Sequence, residues 1–215
     1  MVNIDEELEK AVSLANKIYF NGGVFIHPTD TIYGFAANPF NRDALNEITK
    51  LKQRDEGKKF ILLIQSVETL LKYVKPIHDI HIDFLMAVWP NPISVVLPAA
   101  DEVSDILETN EIAFRIPAHS FCNHLLERIE TPVVSTSVNR SGEPHLNDPD
   151  AILQEFRNEI DALFFTRKKQ MPISSTVINL TRMIPVLVRK GRIPFEYIMQ
   201  EFQRVFVQYE QRVSR

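Results

Sequence analysis

Six short segments place hydroxyls, an amide and cations where strands end or the chain turns. They are Pro28-Thr29-Asp30-Thr31-Ile32-Tyr33-Gly34, Lys52-Gln53-Arg54, Arg115-Ile116-Pro117, Ser137-Val138-Asn139-Arg140-Ser141-Gly142, Ser175-Thr176-Val177 and Arg189-Lys190-Gly191. Ligands of open α/β sheets bind in crevices beyond strand ends, where such segments converge. The inventory suits a polyphosphate together with a small zwitterion better than it suits an apolar ligand. Arginine grips two oxygens of an anion at once, and lysine adds a point charge.

Taken singly, each segment has two readings. Lys52 and Arg54 close a helix, either as solvated charges that complement its dipole or as a paired clamp on phosphates. Lys58 and Lys59 add positive charge nearby. Thr29, Thr31 and Tyr33 either form a turn and a strand edge or line an amino-acid pocket. Ser137 and Asn139 alternate along an extended segment, so both side chains face one side, to brace a turn or to meet phosphate or metal-linked water. Ser175 is either an ordinary strand start or a ligand contact. Arg115 follows Ile112-Ala113-Phe114 in an apolar strand, where a charge is rarely buried alone. Its partner is a substrate carboxylate or phosphate, or an Asp or Glu of the protein itself.

Several other chemistries are excluded. The chain has no G-x-x-x-x-G-K-[ST], no G-x-G-x-x-G and no G-x-S-x-G, so any bound nucleotide relies on side-chain cations rather than a backbone cradle. The 6 histidines lack metalloprotease spacing; His78 and His81 share a helix face and read as satisfied surface histidines. Cys122 is the one cysteine, which excludes an internal disulfide framework, and it reads as a small buried hydrophobe. With a net charge of −4, contact with nucleic acid requires a local basic patch.

The elements that position these residues follow from pattern. In 215 residues, 45% are apolar and 14 are Phe, enough for one α/β domain with a substantial core. Asn3 and Glu6 read as a capping box for a helix that ends at Asn21-Gly22-Gly23. A strand over Val24 to His27 follows, then a helix capped by Asn41 and ending near Arg54, a strand over Phe60 to Ile64 and a helix from Ser66 to Val74. Next come a helix over Ile82 to Trp89, strands at Ile93 to Leu97 and Ile112 to Ile116, a helix over Phe121 to Ile129 and a strand at Val133 to Thr136. Arg140 to Asp150 reads as a mobile loop. Three closely spaced strands, at Asp161 to Phe165, Ser175 to Leu180 and Ile184 to Val188, precede a helix begun by Pro194.

Strict βαβ alternation fails at those late strands, so the expected fold is a single domain with a twisted mixed parallel/antiparallel sheet flanked by helices. Residues 1–194 form the main domain, whose first ~20 residues are an N-terminal helix, and residues 195–215 are a C-terminal helix without a second domain. Met1 to Lys10 is acidic and polar, unlike a signal peptide, and no stretch approaches the ~20 apolar residues of a membrane span. A cytoplasmic protein is expected.

Taken in order, these segments resemble the threonylcarbamoyl-AMP synthase (YrdC-like) family from about Gly22 to Gly191. The most specific parts are Pro-Thr-Asp-Thr-Ile-Tyr-Gly, the Lys-x-Arg of Lys52 and Arg54, Ser-x-Asn-x-Ser-Gly, Ser-Thr-Val and Arg-x-Gly. The resemblance implies a twisted mixed sheet with a concave groove. It implies a nucleotidyltransferase that makes threonylcarbamoyl-AMP and pyrophosphate from L-threonine, bicarbonate and ATP with Mg2+. A separate transferase complex then passes the threonylcarbamoyl group to an adenosine of tRNA. By position, Lys52, Arg54, Ser137, Asn139 and Arg189 would hold ATP, with Lys52 and Arg54 as the catalytic pair. Thr31 and Arg115 would face threonine, Thr29 and Tyr33 would shape its pocket, and Ser175 would sit between the two ligands. Asp55, Lys59-Phe60 and Val138 depart from the family pattern of Pro, Pro-Leu and Ala. The alternative is a diverged paralogue that binds structured RNA, tRNA or a ribosomal precursor, without making the adenylate.

Overall fold

The strand signals resolve into one mixed sheet in a computed structural model that describes residues 1–53, 60–169 and 171–214. Among the described residues the strands are β1 (Val2–Asn3), β2 (Phe25–His27), β3 (Gly34–Ala36), β4 (Ile61–Leu63), β5 (Ile93–Pro98), β6 (Glu111–Arg115), β7 (Val133–Ser137), β8 (Ala162–Phe165), β9 (Thr176–Asn179) and β10 (Val186–Arg189). Their spatial order is β1-β8-β2-β3-β7-β4-β6-β5-β9-β10. The β1–β8, β8–β2, β4–β6 and β5–β9 pairs are parallel, and the others are antiparallel. The late strands, close in sequence, separate in space: β8 inserts between β1 and β2, whereas β9 and β10 form the opposite edge.

Helices α1 (Leu8–Phe20), α2 (Arg42–Lys52), α3 (Val67–Leu70), α4 (Asp79–Val88), α5 (Asp101–Leu107), α6 (Ser120–Ile129), α7 (Pro149–Phe156) and α8 (Phe195–Val213) flank the sheet. Local chemistry sets their ends. Asn41 accepts from the Ala44 amide at 3.0 Å, Ser66 from Thr69 at 3.1 Å and Asp148 from Ala151 at 2.9 Å, each satisfying an amide that has no partner inside its helix. The left-handed Gly22, at φ +76°, carries the chain out of α1.

Some expected elements differ. Asn3 does not cap α1: Val2 and Asn3 pair with Phe164 and Phe165, and the Asn3 side chain accepts from the Asp5 amide instead. A sheet pairing formed from afar outweighs a local cap. The helix opened by Ser66 ends at Leu70, because Val74 bridges Ala99 in extended form. Pro194 is the N-cap of α8 rather than its first residue. Strand β3 and helices α5 and α7 escape the sequence pattern because each is short, and α7 starts inside the stretch read as a loop. His81 is buried, not a surface histidine, and its Nε2 lies 3.0 Å from the Met183 carbonyl.

Strand alternation places the core and the open face. Leu62, Phe114, Val95 and Ile178 point toward α4 and α8, where Phe84 meets Phe202 edge-on at 5.3 Å between ring centres. On the other face, Phe25, Ala36 and Phe164 pack under α1 and α6. Further along that face, Ile61 and Leu63, Ala113 and Arg115, and Val96 and Val177 become the floor of a cleft. A period of two assigns alternate residues of one strand to core and cleft.

Candidate active site

The cleft has a volume of about 430 Å³, and its lining includes residues from all six polar segments. Of the predicted site residues, Thr29, Thr31, Tyr33, Lys52, Arg115, Ser137, Asn139, Ser175 and Arg189 all line it. Arg54, with Asp55 and the lysines at 58 and 59, lies outside the described residues.

One end is built on the turn after β2. Thr31 Oγ1 accepts from Arg115 Nη1 at 3.0 Å and lies 2.9 Å from Thr29 Oγ1. Thr29 in turn donates to the Ile32 carbonyl at 2.8 Å and accepts from the Thr31 amide at 3.1 Å. Arg115 Nη2 forms a short ion pair with Asp30, and the two side chains are 5% and 9% exposed. The buried charge of Arg115 therefore has a carboxylate partner in the protein. Burial pulls the Arg115 pKa down and Asp30 opposes it; a guanidinium remains charged throughout. Three buried polar atoms around this pair lack a protein partner: His27 Nε2, Asp30 Oδ2 and Arg115 Nε. Tyr33 forms a wall, with its hydroxyl turned to accept from the Thr166 amide at 3.2 Å.

The other end joins α2 to the turn after β7. Lys52 is 5% exposed, so the solvated-charge reading fails for it. Its ammonium donates to the Ser137 carbonyl at 2.5 Å, to Asn139 Oδ1 at 2.8 Å and to the Asn139 carbonyl at 3.2 Å. Ser137 Oγ donates to Asn139 Oδ1 at 2.7 Å, as expected for side chains two apart on an extended segment. In return the Lys52 carbonyl accepts from the Ser141 amide at 2.6 Å, and the Leu51 carbonyl from Arg140 at 2.5 Å. Arg140 also pairs with Glu155 and Glu159 and lies 4.5 Å over the Phe156 ring. Helix end and turn thus brace each other.

Between the two ends stand Ser175 and Arg189. Arg189 Nη2 donates to the Ser175 carbonyl at 2.9 Å and to its hydroxyl at 3.2 Å. A Cβ on Gly191 would lie 2.3 Å from the Ser175 carbonyl carbon and the Thr176 nitrogen, so only glycine lets the segment after β10 lie flat on the start of β9.

Two participants escaped the sequence reading. Asp30 sits inside the first motif without an assigned role. Ser94, fully buried, touches Ser175; a lone hydroxyl in the apolar run Ile93-Ser94-Val95-Val96-Leu97 was its only signal. Cys122 is buried as expected, its Sγ 3.5 Å from His27 Nδ1, and burial raises its pKa. It is a poor nucleophile there.

Fold and cleft together define an α/β protein with a mixed sheet, ten-stranded among the described residues, carrying a cleft lined by cationic, hydroxyl and amide side chains. The sequence profile of the Sua5/YciO/YrdC family, described as telomere recombination, matches residues 17–191, and the chain belongs to that family. It is 30% identical over 201 residues to a Pyrococcus abyssi protein named threonylcarbamoyl-AMP synthase, with 92% of this chain and 59% of that protein aligned. The crystal structure of P. abyssi Sua5 complexed with L-threonine superposes with a TM-score of 0.85 at 30% identity, covering 93% of this chain and 59% of that one. The chain thus spans under two-thirds of the length of these relatives. E. coli YciO shares the fold at a TM-score of 0.80 and 24% identity, over 87% of this chain and 92% of YciO.

Proposed function

We propose that this chain is an L-threonylcarbamoyladenylate synthase, a nucleotidyltransferase acting on L-threonine, bicarbonate and ATP. One observation carries the reading: a single cleft holds a guanidinium–hydroxyl end at Arg115 and Thr31 and a lysine–serine–asparagine end at Lys52, Ser137 and Asn139, with Ser175 and Arg189 between them. The relative named threonylcarbamoyl-AMP synthase and the Sua5 complex with L-threonine support it.

In this reading the threonine carboxylate lies toward Arg115 and Thr31, in a pocket shaped by Thr29 and Tyr33. The triphosphate lies toward Lys52, Arg54, Ser137, Asn139 and Arg189, with Ser175 meeting both ligands. Threonine's amine and bicarbonate give a carbamate with loss of water. A carbamate oxygen attacks the α-phosphorus and pyrophosphate leaves. The chain's task is to align anions and neutralise growing charge, with no strong general base needed.

The cationic, hydroxyl and amide side chains that line the cleft suit the phosphate oxygens of a nucleotide that brings magnesium with its own waters. Magnesium would supply charge neutralisation on those phosphates. The product would pass to a separate threonylcarbamoyl-transferase complex for tRNA modification in the cytoplasm. Among the described residues no helix is long and apolar enough to cross a membrane.

The test is pyrophosphate release from magnesium ATP by the purified chain, with and without each co-substrate. Release that requires both threonine and bicarbonate is expected. Intact ATP binding without release would overturn the reading, and steeply salt-dependent tRNA binding would then favour the paralogue that binds structured RNA.

A further inference from the structure

Ser94 on β5 is fully buried, and among the described residues the one hydrogen-bond partner of its hydroxyl is Ser175, with the two Oγ atoms 2.9 Å apart. Ser175 is also met by Arg189, whose Nη2 donates to the same hydroxyl at 3.2 Å. A hydroxyl has one proton and two lone pairs, whereas a guanidinium only donates. Arg189 therefore fills one lone pair of Ser175 Oγ. If Ser175 gave its proton to Ser94, the Ser94 proton would be buried without an acceptor, which is unfavourable. In the reverse direction every group is used. Ser94 donates to Ser175, both Ser175 lone pairs are filled, and its proton is all it has left to offer in the cleft that it lines.

We infer that Ser94 is a positioning residue that makes Ser175 an obligate hydrogen-bond donor, so that Ser175 meets a carboxylate, carbamate or phosphate oxygen and never an ammonium. The surroundings agree in sign, since the Arg115 and Arg189 side chains line the same cleft as Ser175. The inference rests on the proposed function only in naming the reacting oxygens; the donor polarity comes from hydrogen-bond geometry. It also gives a buried serine, absent from every recognised motif, a role in ligand selection.

Calorimetric titration of the full chain with L-threonine and, separately, with magnesium ATP tests it. Ser94→Ala frees the Ser175 hydroxyl to turn inward and should weaken at least one ligand by about tenfold, the scale of a hydrogen bond to an anion. Ser175→Ala should weaken the same ligand, and the double variant should add little to either single one. Ser94→Thr and Ser94→Val share a shape and differ in the hydroxyl, so only the threonine should retain affinity, whatever the added methyl does to stability. Ser94→Ala binding both ligands as tightly as the parent, or effects that simply add, would overturn the inference alone. A parent chain that bound neither ligand would overturn the proposed function and this inference together.

Discussion

Arg115 and Asp30 show how a proposed substrate contact and a structural ion pair share one side chain. Both side chains are buried and paired, so removing the cation strands a carboxylate away from water. Arg115→Ala should therefore destabilise the chain by about 3–5 kcal/mol, the usual loss when a buried pair is broken. Urea denaturation would register it, and adding Asp30→Asn should restore part. Unchanged stability in Arg115→Ala would mean that the pair is not formed in solution. Inactivity of Arg115→Ala alone thus cannot identify a substrate contact. Lys52 poses the same problem, because its ammonium already holds Ser137 and Asn139.

At the scale of elements, the cleft depends on two close joints. The first is α2 against the turn after β7, tied by Lys52, Ser141 and Arg140. The second is the segment after β10 against the start of β9, where Gly191 lies on the Ser175 backbone and Ile193 and Thr176 exchange hydrogen bonds. Gly191→Ala forces backbone against backbone at 2.3 Å, so Ser175 and Arg189 must separate. We expect ATP or threonine affinity to fall at least tenfold while the melting temperature drops by only a few degrees, since β10 is an edge strand with exposed valines. Affinity equal to the parent's would show that this joint does not set the cleft. Helix α8 is anchored differently, through buried Ile198, Phe202 and Val205, each worth roughly 1.5–3 kcal/mol of apolar burial.

For the molecule as a whole, burial of histidines sets a pH limit. Burial drives the His27 pKa down to about 3 and lowers those of His81 and His119 as well. These rings are neutral when folded, whereas the unfolded chain takes up protons near pH ~6.5. The unfolded state then binds more protons, so stability is full above pH ~6.5 and is lost as pH falls toward the folded value of about 3. The urea midpoint should fall between pH 7 and pH 5, and His27→Gln should flatten that dependence. An unchanged slope in the variant would show that His27 does not stay neutral in the folded chain.

The sequence by itself determined the element types and the list of groups able to do chemistry. Periodicity located the longer helices and most strands, and the polar segments stood out because hydroxyls and cations interrupt apolar runs at Arg115 and Ser137. These are local signals: propensity, capping and alternation act over a few residues. Tertiary structure decided which distant groups meet. No local rule sends β8 beside β2 and β9 beside β5, pairs Arg115 with Asp30 across 85 residues, or lays Ser94 against Ser175 across 81. It also set priorities between local signals, taking Asn3 from a cap into a strand and Val74 from a helix into a bridge. Sheet pairing and burial are summed over the whole chain, so they outweigh a cap worth about 1 kcal/mol.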